Sequence, residues 1–147
     1  METVAFFEYT NFTDIIDTFL IDTLINTVDG PWAYTIRFES NGNVLGDAED
    51  ASSVFLSSNP ADNRIQLSWN FDVPWENFSY VVYKETPTGS DVFDSIATVA
   101  EPFYVDSNLA NGATYCYYVT AFGQYTAESL PNDTLINLSQ RICDVPV

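Results

Sequence analysis

Carboxylates are the most abundant side chains of this sequence that could do chemistry. The chain carries 21 Asp and Glu residues against four Lys and Arg residues, and it has no histidine. A calcium ion takes about six to eight oxygen ligands, and five carboxylates in loop-like segments could converge on one: Asp29, Asp47, Glu49, Asp50 and Asp72. Their spacing fits no EF-hand loop, and scattered carboxylates also form ordinary solvated surfaces. Both interpretations stay open.

The missing histidine excludes several kinds of catalysis. Ser-His-Asp and Cys-His nucleophiles both need an imidazole, as do His-containing zinc sites. A catalytic carboxylate pair, as in glycoside hydrolysis, needs two groups facing each other across a cleft, and no cleft can be argued from the sequence. We therefore predict a protein that is not an enzyme and that has no cofactor beyond the calcium considered above.

The net charge of −17 restricts the partners. Phosphate-backbone binding depends on clustered Lys and Arg, and anionic membranes attract cations, so both partners are disfavoured. No apolar run approaches the roughly 18 residues that a bilayer-spanning helix needs. We expect no nucleic-acid partner and no membrane insertion.

The elements that must position these residues are β-strands. In residues 64–70, apolar and polar side chains alternate as in a half-buried strand. Residues 80–83 and 114–121 are β-branched and aromatic runs, which are typical of strands. The sequence predicts an all-β, antiparallel sandwich whose core contains Ile65, Leu67, Trp69, Tyr80, Val82, Tyr117 and Val119.

A faint internal repeat divides the chain. The segments 12–18, 22–26 and 34–38 match 93–98, 106–109 and 115–119 in order and approximate spacing. An acidic stretch of small residues at 46–53 separates the two sets. We predict a partial module at residues 1–52 and a complete module at residues 53–147.

Residues 54–143 resemble a fibronectin type III domain. The likeness lies in residues 67–69 with their tryptophan, in residues 80–83, and in the run 109–115. In that family a tyrosine early in strand F turns its hydroxyl back to the upstream backbone, which is called a tyrosine corner. Leu109, Gly112 and Tyr115 match this corner, and Asn111 replaces its usual proline. The resemblance implies a Greek-key β-sandwich.

Residues 1–52 resemble only the latter half of such a domain, about strands C′, E, F and G, with Tyr34 in the place of Tyr115. Strands A and B are missing, so one face of the sheet, including Phe6, Ile36 and Phe38, would be exposed to water. We expect something to cover it, and homo-association through this incomplete module is one route.

The whole chain is also similar to tandem repeats in large surface proteins of gliding bacteria that use type IX secretion. The likeness lies in four short segments, residues 52–56, 73–75, 115–119 and 136–143. The resemblance implies an extracellular, cell-surface location. Its implied partners are neighbouring modules of the same chain and a surface ligand or polysaccharide.

Cys116 and Cys143 would lie on the outer face of strands F and G if Tyr117 and Ile142 point inward. Adjacent antiparallel strands with two thiols on one face can form a disulfide when the register is right. The alternative is two free thiols in a reducing compartment.

Trp32 and Trp75 both sit in proline-containing turns. Three interpretations remain open for them: a sugar- or partner-stacking platform, ordinary core packing, or a contact between modules. The last follows from the resemblance, because these turns would face each other in tandem sandwiches.

The function predicted is a non-catalytic repeat module that acts as a spacer and adhesive segment. One alternative is a carbohydrate-binding module that accompanies a secreted glycosidase. Another is a small acidic hydrolase, which a substrate screen would test.

Overall fold

The regular elements of the chain are all β-strands. The structure, a computed structural model, describes residues 10–11, 20–127, 130 and 132–147. Within these residues there are twelve strands and no helix, and every ladder between named strands is antiparallel. The prediction of an all-β, antiparallel fold is therefore confirmed. None of the described segments forms a helix with the length and apolar character needed to cross a bilayer.

Residues 54–147, here called the body, form two sheets in a β-sandwich-like arrangement. The first sheet has the order β5-β6-β9, with β5 at Phe55–Ala61, β6 at Arg64–Asn70 and β9 at Phe103–Ser107. The second has the order β11-β10-β7-β8, with β7 at Glu76–Glu85, β8 at Phe93–Val99, β10 at Tyr115–Gln124 and β11 at Leu135–Leu138. A last strand, β12 at Ile142–Asp144, pairs with the beginning of β10.

The core lies between these two sheets and follows the alternation of the sequence. Strand β6 is buried at every second residue, and its inward side chains share one apolar cluster with those of β7 and β10. Each of the seven residues assigned to the core is buried: Ile65, Leu67, Trp69, Tyr80, Val82, Tyr117 and Val119.

Polar side chains also connect the two sheets. Lys84 on β7 pairs with Asp106 on β9 at 2.8 Å, and the Tyr117 hydroxyl on β10 donates to the same Asp106 oxygen at 2.8 Å. Burial, together with the negative charge of Asp106, raises the pKa of Tyr117, so its hydroxyl remains a donor at neutral pH. The side-chain amide of Gln140 exchanges two hydrogen bonds with the backbone of Leu56, as a residue of a paired strand would.

Residues 33–52, here called the ribbon, form a long two-stranded hairpin ahead of the body. Its inner pair is β2 (Arg37–Ser40) with β3 (Asn43–Asp47), and its outer pair is β1 (Ala33–Tyr34) with β4 (Ala51–Ser52). Asn41 and Gly42 make the turn with φ values of 51° and 75°. Two consecutive positive φ values match the type I′ hairpin turn, which favours Asn-Gly.

The apolar side chains of the ribbon are largely in water. Ile36 and Phe38 are 62% and 55% exposed. Phe6 and residues 12–18 of the repeat lie outside the described residues.

Candidate functional site

The ribbon meets the body at Ser52, which is 8% exposed and is bonded on three sides. Its N–H donates to the carbonyl of Asp72, and its hydroxyl oxygen accepts from the Asp72 N–H, both at 2.7 Å. The side-chain amide of Asn137 donates to the Ser52 carbonyl at 2.8 Å. One residue later, the Ser53 N–H donates to the Trp32 carbonyl at 3.1 Å. We call these residues the joint.

Beside the joint lies a shallow, largely open cleft of about 310 Å³ that is lined by both tryptophans singled out from the sequence. Its walls come from the segment before β1, from β1 and β4, from the loop before β7, and from β11. The lining residues are Ile25, Thr27, Trp32, Tyr34, Ala51, Ser52, Ser53, Trp75, Ile136 and Asn137. None of these lining side chains carries a formal charge.

Trp75 is held in place by its neighbours. Its indole N–H donates to Asn77 at 3.0 Å, and Tyr125 contacts its ring edge to face with ring centres 6.0 Å apart. A Cβ at Gly123 would lie 2.6 Å from the Trp75 Cδ1 atom and 2.5 Å from the Asn77 side-chain oxygen. The ring can therefore occupy this position only because residue 123 has no side chain.

Trp32 is more open, with 42% of its surface exposed. Its indole N–H donates to the Asn26 carbonyl at 3.0 Å, which fixes the ring relative to the preceding loop. The Tyr34 hydroxyl donates to Asp22 at 2.9 Å in the same neighbourhood. The structure thus brings Trp32 and Trp75 to a boundary between ribbon and body, with ring surface still open to solvent.

The five calcium candidates do not form one site. Glu49, Asp50 and Asp72 line a concave surface of about 450 Å³ with Val73 and Pro74, here called the acidic groove. Asp47 lies elsewhere, paired with Arg37 at 2.7 Å, and this hydrogen bond lowers its pKa. Asp29 accepts from the Asn26 amide at 2.6 Å. Within the described part of the chain, no three His, Cys, Asp or Glu side chains are grouped closely enough to hold a metal ion.

Cys116 and Cys143 are joined in a disulfide, and they stand directly opposite each other on β10 and β12. Cys143 is exposed, but Cys116 is only 3% exposed although it faces away from the core. The Arg141 guanidinium lies 3.5 Å from the Cys116 sulfur on this face. The outer face of this sheet is therefore not simply solvated.

The three residues assigned to a tyrosine corner lie together at the start of β10. The Tyr115 hydroxyl accepts a 3.0 Å hydrogen bond from the Ala110 N–H. Gly112 has φ of 79°, a left-handed conformation that glycine adopts without strain, and Leu109 is buried. Asn111, at the usual proline position, accepts from the Asn63 N–H at 2.8 Å and so ties this bend to the β5–β6 hairpin.

A buried carboxylate that sequence reasoning missed closes the β7–β8 hairpin. Glu85 is 2% exposed and accepts from the N–H groups of Gly89 and Asp91, both at 2.9 Å, and from Arg141 at 3.1 Å. These backbone hydrogen bonds, followed by the charge of Arg141, lower its pKa. The carboxylate stays ionised at neutral pH. It is suited to holding the β7–β8 turn through hydrogen bonds and not to donating a proton. No local sequence pattern predicts this buried carboxylate, because its partner Arg141 lies on a distant segment of the chain.

Comparison with models of known protein families gives no match for this chain, and neither does comparison with curated proteins.

Proposed function

We propose that this chain is a non-catalytic repeat segment of a large secreted bacterial surface protein, where it acts as a spacer and an adhesive surface. In this proposal, residues 53–147 are a fibronectin type III-like module with Greek-key topology. Residues 1–52 are a partial copy of the same module, and both act outside the cell.

Strand pairing supports the module assignment. Along the body, strands β5, β6 and β9 share one sheet, while β7, β8 and β10 to β12 share the other. The chain thus crosses between layers after β6, β8 and β9, as Greek-key sandwiches do. The Tyr115 hydroxyl is bonded to the Ala110 backbone, as in the tyrosine corner of the fibronectin type III family. Residues 109–115 are also the segment that resembles that family most.

One tyrosine contact supports the partial copy. The Tyr34 hydroxyl donates to Asp22, 12 residues upstream. In the alignment of the two copies Tyr34 takes the place of Tyr115, whose hydroxyl bonds to the backbone of Ala110. In both copies the hydroxyl is thus bonded to a residue upstream in the chain, although the partner atoms differ.

The hydrogen bonds that Ser52 makes to the body are the main observation in support of the spacer function. β4 ends at Ser52 and β5 begins at Phe55, and Val54 between them is 1% exposed and bridges to Ser139. No flexible linker separates ribbon and body, and the junction residue is bonded to two separate parts of the body. A stiff junction of this kind transmits orientation from one module to the next, as a spacer requires.

The exposed ribbon face supports association with a further module or a second chain. Two-stranded ribbons are marginal alone, and Ile36, Phe38 and Leu45 present apolar surface that monomers seldom leave open. If a second chain covers this face, Phe38→Asp will shift sedimentation from dimer to monomer. A wild-type monomer at all concentrations argues against homo-association.

Surface staining of intact cells tests the location. An antibody against the folded chain should label unpermeabilised cells of the source organism, and external protease should remove the label. Labelling that requires permeabilisation contradicts the proposal.

A second candidate function, a carbohydrate-binding module beside a secreted glycosidase, is favoured by one observation, the aromatic cleft at the joint. The two candidates differ in what the cleft does. In the first, a ligand held in the cleft serves adhesion of the whole protein. In the second, the cleft brings a polysaccharide to the neighbouring glycosidase.

A further inference from the structure

The cleft is uncharged in a strongly acidic protein. All ten lining residues are neutral, whereas the whole chain carries a charge of −17. The field of the protein repels anionic ligands, and the lining has no charged side chain that would pair with an ionic ligand. The lining is therefore suited to a neutral ligand.

The size of the cleft limits that ligand further. Its volume of about 310 Å³ is at the lower end of small-molecule sites, which span about 300–1,000 Å³. A stable protein partner would bury about 1,200–2,000 Å² in total, far more than this cleft offers. The occupant must be small, or a short stretch of an extended polymer.

Both tryptophans have their polar N–H edge bonded within the protein. The indole N–H groups of Trp32 and Trp75 are both engaged inside the protein, with Asn26 and Asn77. Their orientation is therefore set before any ligand arrives, and what remains for contact is apolar π-surface. A pyranose ring has one such complementary face, made of its axial C–H groups.

Polar groups that suit sugar hydroxyls lie around these rings. Asn137 uses its amide nitrogen on Ser52, which leaves its side-chain oxygen as an acceptor, and Thr27 adds a hydroxyl.

From these features we infer that the cleft is a binding site for a neutral glycan, with pyranose rings stacked on Trp32 and Trp75 and hydroxyls directed to Asn137 and Thr27. The inference rests on the adhesive part of the proposed function and supplies its ligand class. It does not depend on the stiffness of the joint, which is measured separately.

Indole N–H resonances in ¹⁵N–¹H NMR spectra test the site directly. The chain has three tryptophans, and Trp69 is a buried internal reference. Titration with cello-, manno-, xylo- and chito-oligosaccharides at millimolar concentrations should shift the Trp32 and Trp75 signals for at least one series and leave Trp69 in place. Alginate oligosaccharides, which are anionic, should shift none. No indole shift with any of the four neutral series overturns the inference.

Matched variants locate the binding surface. Trp32→Ala should weaken binding of the responding glycan by about tenfold or more, as measured by isothermal titration. Phe103→Ala removes an aromatic of similar exposure, 44% against 42%, from β9 outside the cleft, and should leave binding unchanged. Equal affinity of the Trp32 variant and the wild type overturns the inference. So does an indole shift that tracks protein concentration instead of glycan, because a second copy would then occupy the cleft.

Discussion

Ser52 and Asp72 hold each other through two hydrogen bonds of 2.7 Å that run in opposite directions. The Ser52 N–H donates to the Asp72 carbonyl, and the Asp72 N–H donates to the Ser52 hydroxyl oxygen. A pair of bonds fixes direction as well as distance, so the end of β4 cannot turn about a single contact. This relationship makes the ribbon an extension of the body and not a tethered tail.

Gly123 should be intolerant of a side chain. Gly123→Ala would place a Cβ 2.5–2.7 Å from atoms of Asn77, Trp75 and Glu76, one of them a backbone oxygen that cannot move easily. We expect a loss of about 1–3 kcal/mol in unfolding free energy, with a displaced Trp75 ring. Urea denaturation and the Trp75 indole chemical shift measure the two effects.

Gly46→Ala is the matched control for that change. Gly46 lies in the ribbon with nothing within 4 Å of its added Cβ and without a positive φ. Its substitution should change stability little. Equal losses in the two variants would contradict the packing of Trp75 against β10.

The tyrosine corner predicts a specific effect of one oxygen atom. Tyr115→Phe removes the acceptor for the Ala110 N–H but keeps the ring, over which Lys84 lies at 4.6 Å. We expect a loss of about 1 kcal/mol in urea denaturation. Tyr83→Phe is the control, because Tyr83 contacts Tyr118 through ring stacking. Unchanged stability of the Tyr115 variant would argue against the corner.

The disulfide should contribute strongly to stability. Cys116 and Cys143 close a loop with a separation of 27 residues, for which chain entropy gives about 3–4 kcal/mol. The double variant Cys116→Ala, Cys143→Ala should unfold at correspondingly lower urea concentration. Adding reductant should move the wild type toward the variant and leave the variant unchanged. Wild-type stability that is independent of reductant would contradict the bridge.

Glu85 should govern part of the acid sensitivity. Its pKa in the folded chain lies below the ordinary value of 4.5, chiefly through backbone hydrogen bonds from Gly89 and Asp91. The folded state therefore binds fewer protons than the unfolded state near this pH. The stabilisation is complete above about pH 4.5 and is lost as the pH falls through the lower folded pKa.

Glu85→Gln should accordingly lower stability at neutral pH and flatten the decline below pH 4.5. The decline will not vanish, because hydrogen bonds from Arg37 and Asn111 also lower the pKa values of Asp47 and Asp62. Unfolding free energies measured between neutral and acid pH give the comparison. Glu101→Gln, at an exposed carboxylate, should retain the wild-type slope, and an unchanged slope for Glu85→Gln would contradict the role of that residue.

Much of the core of the body can be predicted from the local alternation of apolar and polar residues. Alternation in residues 64–70 is enough to place Ile65, Leu67 and Trp69 inside, because a strand's side chains can only point to two sides. The Asn41-Gly42 pair was not singled out from the sequence, although Asn-Gly is the dipeptide that a type I′ hairpin turn favours. The turn alone would place Gly46 opposite Arg37, and it is a register shift between Phe38 and Glu39 that brings Asp47 opposite Arg37 instead, where the two side chains pair.

The joint and the Glu85 cluster could not be found this way. Ser52 meets Asn137 across 85 residues, and Glu85 meets Arg141 across 56. Such contacts depend on how the layers stack and where β11 gives way to β12, which no short window of sequence contains. Cys116 illustrates the same limit: its outward direction followed from alternation, but its contact with Arg141 did not.

Residual dipolar couplings of backbone amides test the central claim, a stiff joint between ribbon and body, most directly. In weakly aligned samples we predict that one alignment tensor fits the amides of β2 and β3 together with those of the body, because Ser52, Asp72 and Asn137 fix the junction. Ser52→Ala, which deletes one of the paired bonds, should reduce the ribbon couplings, and Ser57→Ala on the exposed side of β5 should not. Ribbon couplings in the wild type that require a separate or scaled-down tensor would contradict the account.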